Sequence, residues 1–222
     1  MALTEQVSCR LIDLDDERWP WDEWDSHLSS AERRRAEQFR FERDRRWFVR
    51  RRAWRTQVLS DFFGDAVTLS FGPHGQPLID QGRWSLSCSH SRGLAAIALA
   101  PCAVGVDIER SADAPVDRHL IPTICSADEA AQLYALPADQ LHAALLRVWT
   151  RKEALLKAIG TGIGATPLTD IHVGCAEQPS PLRWPHGGQW CLYEPEHSLV
   201  QICLALAGIS DPFAALEDQI SS

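Results

Sequence analysis

Lysine is nearly missing from this chain. Of its 22 Lys+Arg residues only Lys152 and Lys157 are lysines. Lysine is a compact point charge with a tunable pKa, whereas arginine is a fixed, permanently charged fork. Two lysines kept side by side in an arginine chain therefore point to phosphate contact or proton transfer rather than to solvation. Long apolar runs are missing too, which excludes a membrane-spanning helix of about 20 residues. The opening Met-Ala-Leu-Thr-Glu-Gln lacks the basic and apolar segments of a secretion signal, so a cytoplasmic protein is expected. Seven scattered cysteines, never spaced Cys-x-x-Cys, argue for reduced thiols and against a disulfide framework or a zinc site. There is no Gly-x-Ser-x-Gly elbow, and adjacent strand residues point apart, so Ser89-His90-Ser91 does not read as a hydrolase nucleophile and base. No low-complexity segment and no repeat between the halves is apparent.

What is present describes a globular protein: 222 residues, 45% hydrophobic and 23% charged. The net charge of −8 conceals a basic island. Residues 31–55 hold eleven arginines against Glu32, Glu37, Glu42 and Asp44, a local +7 that leaves −15 for the remainder. A basic island in an acidic protein calls for a local anionic partner. General nucleic-acid binding would require wider basicity, so no nucleic-acid partner is expected.

Along the chain, Val7–Leu14 reads as a strand and is followed by a Trp-rich loop. Ser29-Ser-Ala-Glu32 is a capping box that opens a helix. A second, arginine-rich helix runs from about 42 to 63 and is ended by Gly64. Strands follow at 67–71, 84–88, 94–100 and 103–109, with Ser89-His90-Ser91 at the end of the second. Helices are expected over 115–121, from the capping box Ser126-Ala-Asp-Glu129, and from Pro137, in the first turn, to Gly160. Strands then fall at about 168–175, 189–194 and 199–206, before a loosely held tail at 207–222. This is an α+β pattern in two similar halves, divided near 101–112.

Three stretches carry chemistry. Trp149-Thr-Arg-Lys-Glu-Ala-Leu-Leu-Lys157 ends a helix with Trp149, Glu153 and Lys157 on neighbouring positions. Taken alone, Glu153 and Lys157 are also an ordinary surface pair. In Val104-Gly-Val-Asp107-Ile-Glu109 the two carboxylates project from one face of a strand. Adjacent hard oxygen ligands suit Mg²⁺, which takes one or two carboxylates and completes its shell with waters and phosphates. Gly105, just ahead of them in the flanking Val-Gly-Val, suggests close approach of a ligand to the backbone. His90, flanked by hydroxyls, is placed to hydrogen-bond a phosphate.

In order and spacing these stretches, with Gly75-Gln-Pro77 ahead of Leu86-Ser-Cys-Ser-His90-Ser91, resemble the Sfp-type 4′-phosphopantetheinyl transferases over about residues 29–165. The resemblance implies two pseudo-symmetric α/β halves, about 1–103 and 104–222, with the active site between them. It implies transfer of the 4′-phosphopantetheinyl group from coenzyme A to a serine of an acyl- or peptidyl-carrier protein, with release of adenosine 3′,5′-bisphosphate. Asp107, Glu109 and Glu153 would hold Mg²⁺, or Mn²⁺ in its place. Lys157 would contact phosphate and protonate the leaving group. Lys152, Ser89, His90, Gln76 and Pro77 would contact coenzyme A, together with an arginine among Arg45, Arg46 and Arg52, and with Arg33 or Arg34 contributing. The general base would be Glu153, or Glu129 in its place. Three departures stand out: Gln76 where lysine is common, no asparagine before Ser-His-Ser, and Trp-Thr where Trp-Ser is frequent. A monomer is expected, since each half completes the site with the other. Two other functions share some of these features: an arginine-rich anion or nucleic-acid binding module, and a metal-dependent phosphoesterase that uses water.

Overall fold

The structure is a computed structural model; it describes residues 7–64, 67–110, 118–162, 164, 166–177, 182–183, 189–198 and 200–208. The first part of the chain builds β1 (Ser8–Asp13), α1 (Trp21–Trp24), α2 (Ser30–Ala36) and α3 (Glu42–Phe63). It continues through β2 (Leu69–Phe71), β3 (Pro77–Ile79), β4 (Ser85–Ser91) and β5 (Leu94–Ala100). The second part builds β6 (Val104–Arg110), α4 (Ile121–Ile124), α5 (Ala127–Tyr134) and α6 (Ala138–Ile159), then β7 (Leu182–Arg183), β8 (Gln189–Tyr193) and β9 (Val200–Ala207).

The two parts repeat one plan that their sequences do not display. Sheet order is β1-β5-β4 in the first and β6-β9-β8-β7 in the second, and every pairing is antiparallel. In each, a first strand pairs with the last, and the penultimate strand lies on its far side. Each has a short helix opened by a complete capping box, Ser29 with Glu32 and Ser126 with Glu129. Each then has a 22-residue helix ended by a left-handed glycine, Gly64 at φ 80° and Gly160 at φ 79°. That conformation is strained for any residue with a Cβ, which is why glycine stops both helices. The fold is α+β, built from two pseudo-symmetric halves.

Strand alternation sorts the side chains into layers. Ile12, Leu86, Ala95, Ile97 and Leu99 pack with Ala53, Trp54, Val58 and Leu59 of α3. The opposite face of β5, with Leu94, Ala96, Ala98 and Ala100, and Val104, Val106 and Ile108 of β6 meet Val200, Ile202, Leu204 and Leu206 between the two sheets. Cys203 and Ala205 face Val148, Ala154 and Leu155 of α6. The order is thus α3, sheet, sheet, α6.

Several expectations change. Ser89-His90-Ser91 lies inside β4 rather than beyond its end. Pro137 is the residue before α6, not in its first turn. No strand forms at 168–175. A 3₁₀ turn at Leu168–Asp170 leads into an extended segment whose backbone is held by buried side chains instead of a ladder. Lys152 Nζ donates to Leu168 O, Glu129 Oε1 accepts from Val173 N and Gly174 N, and Arg151 donates to Gly174 O. The helix expected at 115–121 is a 3₁₀ turn at Arg118–Leu120 followed by α4; its first residues, and the tail beyond 208, lie outside the described residues.

Candidate active site

The site begins with a glycine. A Cβ on Gly105 would lie 1.9 Å from Ala154 O and 2.5 Å from Ala158 N, so β6 rests directly on the backbone of α6. The close approach expected at this glycine is made by a helix, not by a ligand. Because Gly105, Asp107 and Glu109 share a strand face, both carboxylates stand against the flank of α6 that carries Trp149, Glu153 and Lys157. Glu109 Oε1 accepts from Trp149 Nε1 at 3.1 Å. Asp107 Oδ1 accepts from Lys157 Nζ at 2.6 Å and from Ser89 Oγ at 2.8 Å. Glu153 lies among them. The three carboxylates expected from the sequence are brought together.

Their electrostatics are unfavourable as they stand. Burial, then the charges of Asp107 and Glu109, push the Glu153 carboxyl up to about 7 against the pull of Lys157. Burial also raises Asp107, although Lys157 and Ser89 oppose it. Asp107 Oδ2 and Glu153 Oε1 are buried with no hydrogen-bond partner. Orphaned buried oxygens are costly, and two of them beside a third carboxylate suit a hard cation. Among the described residues no three ligand side chains already stand at metal spacing.

Next to these groups lies a cavity of about 250 Å³ lined by Arg51, Arg52, Arg55, Ser89, His90 and Pro77. The even residues of β4 face α3 across it, so the strand that bonds Asp107 through Ser89 also presents His90 to the arginines. The Nε atoms of Arg51, Arg52 and Arg55 are buried without hydrogen-bond partners, although Arg52 Nε lies 4.0 Å from Glu32 Oε1. Arg55 does reach Glu32 at 2.8 Å, but among the described residues no carboxylate pairs with Arg51. Burial and the neighbouring Arg52 and Arg55 lower the Arg51 guanidinium to about 10. Desolvation, then Arg51, Lys157 and Arg52, hold the His90 imidazole down at about 4, although its rim is open to solvent. The cavity lacks a negative charge and is shaped to take one.

Of the arginines expected at the phosphate, only Arg52 lies here. Arg45 is bound to Glu42 and Arg46 to Asp15, while Arg33 donates to the carbonyls of Asp25 and Ser26. Arg51 and Arg55 were not singled out by sequence. Their i,i+4 spacing puts them on one flank with Arg52 beside it, but nothing in the sequence says which flank faces β4. Gln76 folds back: its Oε1 accepts from His74 N at 3.0 Å, and its Nε2 points at Gly160 O from 3.5 Å. This seats the Gly75-Gln-Pro77 turn against the end of α6.

Lys152 and Glu129 are not brought to the site. Both are fully buried, Lys152 on another flank of α6 and Glu129 on α5, with Lys152 Nζ 2.6 Å from Glu129 Oε2 and also bonded to Ile124 O and Leu168 O. Burial would raise the Glu129 carboxyl, but Lys152 and the Val173 and Ser126 N–H groups leave it below its usual value. The pair is a structural clamp on the 168–174 segment.

A family model described as the 4′-phosphopantetheinyl transferase superfamily matches residues 103–205. The chain is 28% identical to the 4′-phosphopantetheinyl transferase HetI of Nostoc sp. over 93% of this chain and 90% of that protein. The family model spans just under half of the chain, which is thus similar to the 4′-phosphopantetheinyl transferases. Other relatives match over less. The 4′-phosphopantetheinyl transferase psf-1 of Bacillus pumilus is 28% identical over 61% of this chain and 59% of its own length. AcpT of Salmonella typhimurium, also a 4′-phosphopantetheinyl transferase, is 33% identical over 50% of this chain and 60% of its own length. Members of this superfamily transfer phosphopantetheine to carrier proteins, and the present chain is a transferase of that kind. No helix among the described residues is long and apolar enough to cross a membrane.

Proposed function

We propose that the enzyme moves the 4′-phosphopantetheinyl group of coenzyme A to a serine of an acyl- or peptidyl-carrier protein in a Mg²⁺-dependent reaction, releasing adenosine 3′,5′-bisphosphate. One observation carries this reading. An anion cavity and a set of under-satisfied carboxylates are contiguous, joined by Ser89, which lines the cavity and bonds both Asp107 and Lys157. Coenzyme A has one phosphate on its ribose and a pyrophosphate on which the reaction occurs, and two such sites side by side suit both.

Arg51, Arg52 and His90 would bind the ribose phosphate, with Pro77 and the Gln76 turn bordering the nucleotide end. Lys157, partly exposed between cavity and carboxylates, would turn from Asp107 to the pyrophosphate and supply the leaving group with a proton. Asp107, Glu109 and Glu153 would hold Mg²⁺, with Mn²⁺ a substitute, which when bound neutralises charge on the pyrophosphate as its bond breaks. Glu153, beside the same phosphates, would accept the proton of the incoming serine. Glu129 and Lys152 have no part in this scheme. Within the basic island Arg45, Arg46, Arg50 and Arg55 each hold a carboxylate, which supports a local anion site over a nucleic-acid surface. Both sides of the site belong to one chain, which supports a monomer divided into 1–103 and 104–222. The seven free cysteines suit a reducing cytoplasm.

The test is a mass spectrum of an apo carrier protein incubated with the enzyme, coenzyme A and Mg²⁺. The expected result is a mass gain of one phosphopantetheinyl group that disappears with EDTA. A gain unaffected by EDTA refutes the metal; nucleotide release without any carrier points instead to a phosphoesterase.

A further inference from the structure

Where β4 meets β6, the two halves are not joined by a backbone ladder. Three alternate serines bridge them. Ser87 Oγ accepts from Val106 N at 3.0 Å, Ser89 Oγ from Ile108 N at 3.4 Å, and Ser91 Oγ from Arg110 N at 3.4 Å. The strand period explains the pattern: residues 87, 89 and 91 share the face turned to the other sheet, and the amides of 106, 108 and 110 recur at the same interval. A hydroxyl that accepts one bond still has a proton to donate. Ser89 directs it to Asp107 Oδ1, and Ser91 directs it to Glu109 Oε2 at 2.8 Å.

We infer that Ser91 is a positioning residue. With Trp149, which donates to the other oxygen, it fixes the plane of the Glu109 carboxylate while registering the two halves against each other. Held from both sides, Glu109 can offer a cation only its remaining lone pairs, in fixed directions. This rests on the reading of Asp107, Glu109 and Glu153 as the Mg²⁺ site. Groups that orient a metal's ligands typically change affinity by about 10–100-fold when removed.

Ser87 provides the internal control, since it makes the same bridge and, among the described residues, no carboxylate bond is found for it. Ser87→Ala and Ser91→Ala should both lower Tm by a few degrees, because each strands a β6 amide. Free Mn²⁺ measured by electron paramagnetic resonance in a titration without coenzyme A should show weakening by about tenfold or more for Ser91→Ala and little change for Ser87→Ala. Ser91→Thr, which keeps the hydroxyl, should restore binding. Equal Mn²⁺ affinities in Ser87→Ala and Ser91→Ala would overturn the inference and leave Ser91 as a seam residue only. Failure of the wild-type protein to bind Mn²⁺ would refute the metal reading itself, a separate outcome.

Discussion

Replacing Glu153 by glutamine should destroy activity and stabilise the metal-free protein. The carboxyl is 7% exposed, and burial with Asp107 and Glu109 beside it raises it from an ordinary 4.5 to about 7. For an acid whose folded pKa is raised, the unfolded chain releases its proton first, so stability falls as pH rises between the two values. Below pH 4.5 both states are protonated and nothing is lost; above pH 7 the loss is complete. A shift from 4.5 to about 7 corresponds to about 3 kcal/mol. Glutamine keeps the shape and removes the charge, so Glu153→Gln should gain up to about 3 kcal/mol at pH 8 and under about 1 kcal/mol at pH 5. For a chain of this size that is about 6–12 °C in Tm at pH 8. The assay is thermal denaturation of both proteins across pH 5–8 in EDTA, repeated with Mg²⁺. With Mg²⁺ the wild type should recover stability in proportion to occupancy, and the variant should recover less. A Tm difference that is the same at pH 5 and pH 8 would refute the reasoning, because it would mean Glu153 is not electrostatically strained in the folded state.

Other perturbations separate site from scaffold. Lys152→Met should cost about 3–5 kcal/mol in chemical denaturation by leaving buried Glu129 without its cation; the folded fraction should keep its kcat, and a lost kcat in folded protein would return Lys152 to the site. Gly105→Ala should cost about 3 kcal/mol or more, or prevent folding, since its Cβ meets helix backbone that cannot rotate away; an unchanged Tm would contradict the packing. Arg51→Ala should weaken coenzyme A binding in calorimetry by about tenfold or more, given about 1.5–3 kcal/mol for a charged hydrogen bond, whereas Arg46→Ala should not, because Asp15 already holds that guanidinium.

Local rules made most elements legible. Gly64 and Gly160 end their helices because only glycine adopts the left-handed conformation cheaply, and both capping boxes form as written. Alternation placed Asp107 and Glu109 on one strand face, and helical spacing placed Trp149, Glu153 and Lys157 on one flank; these are properties of a single element and need no partner. Which flank of α3 faces the cavity, and so the choice of Arg51, Arg52 and Arg55 over Arg45 and Arg46, depended on where β4 passes beneath it. The separation of Lys152 from Lys157, alike in the sequence, came from the 100° between successive helical residues meeting two different neighbours, a buried glutamate on one side and β6 on the other. The segment 168–175 looked like a strand because its residues suit one, but buried cations and a carboxylate took its hydrogen bonds first. The amino-acid sequence determined the elements and the chemistry they carry. The tertiary structure decided which of those groups meet, because burial, charge pairing and the join between β4 and β6 arise only when distant segments pack.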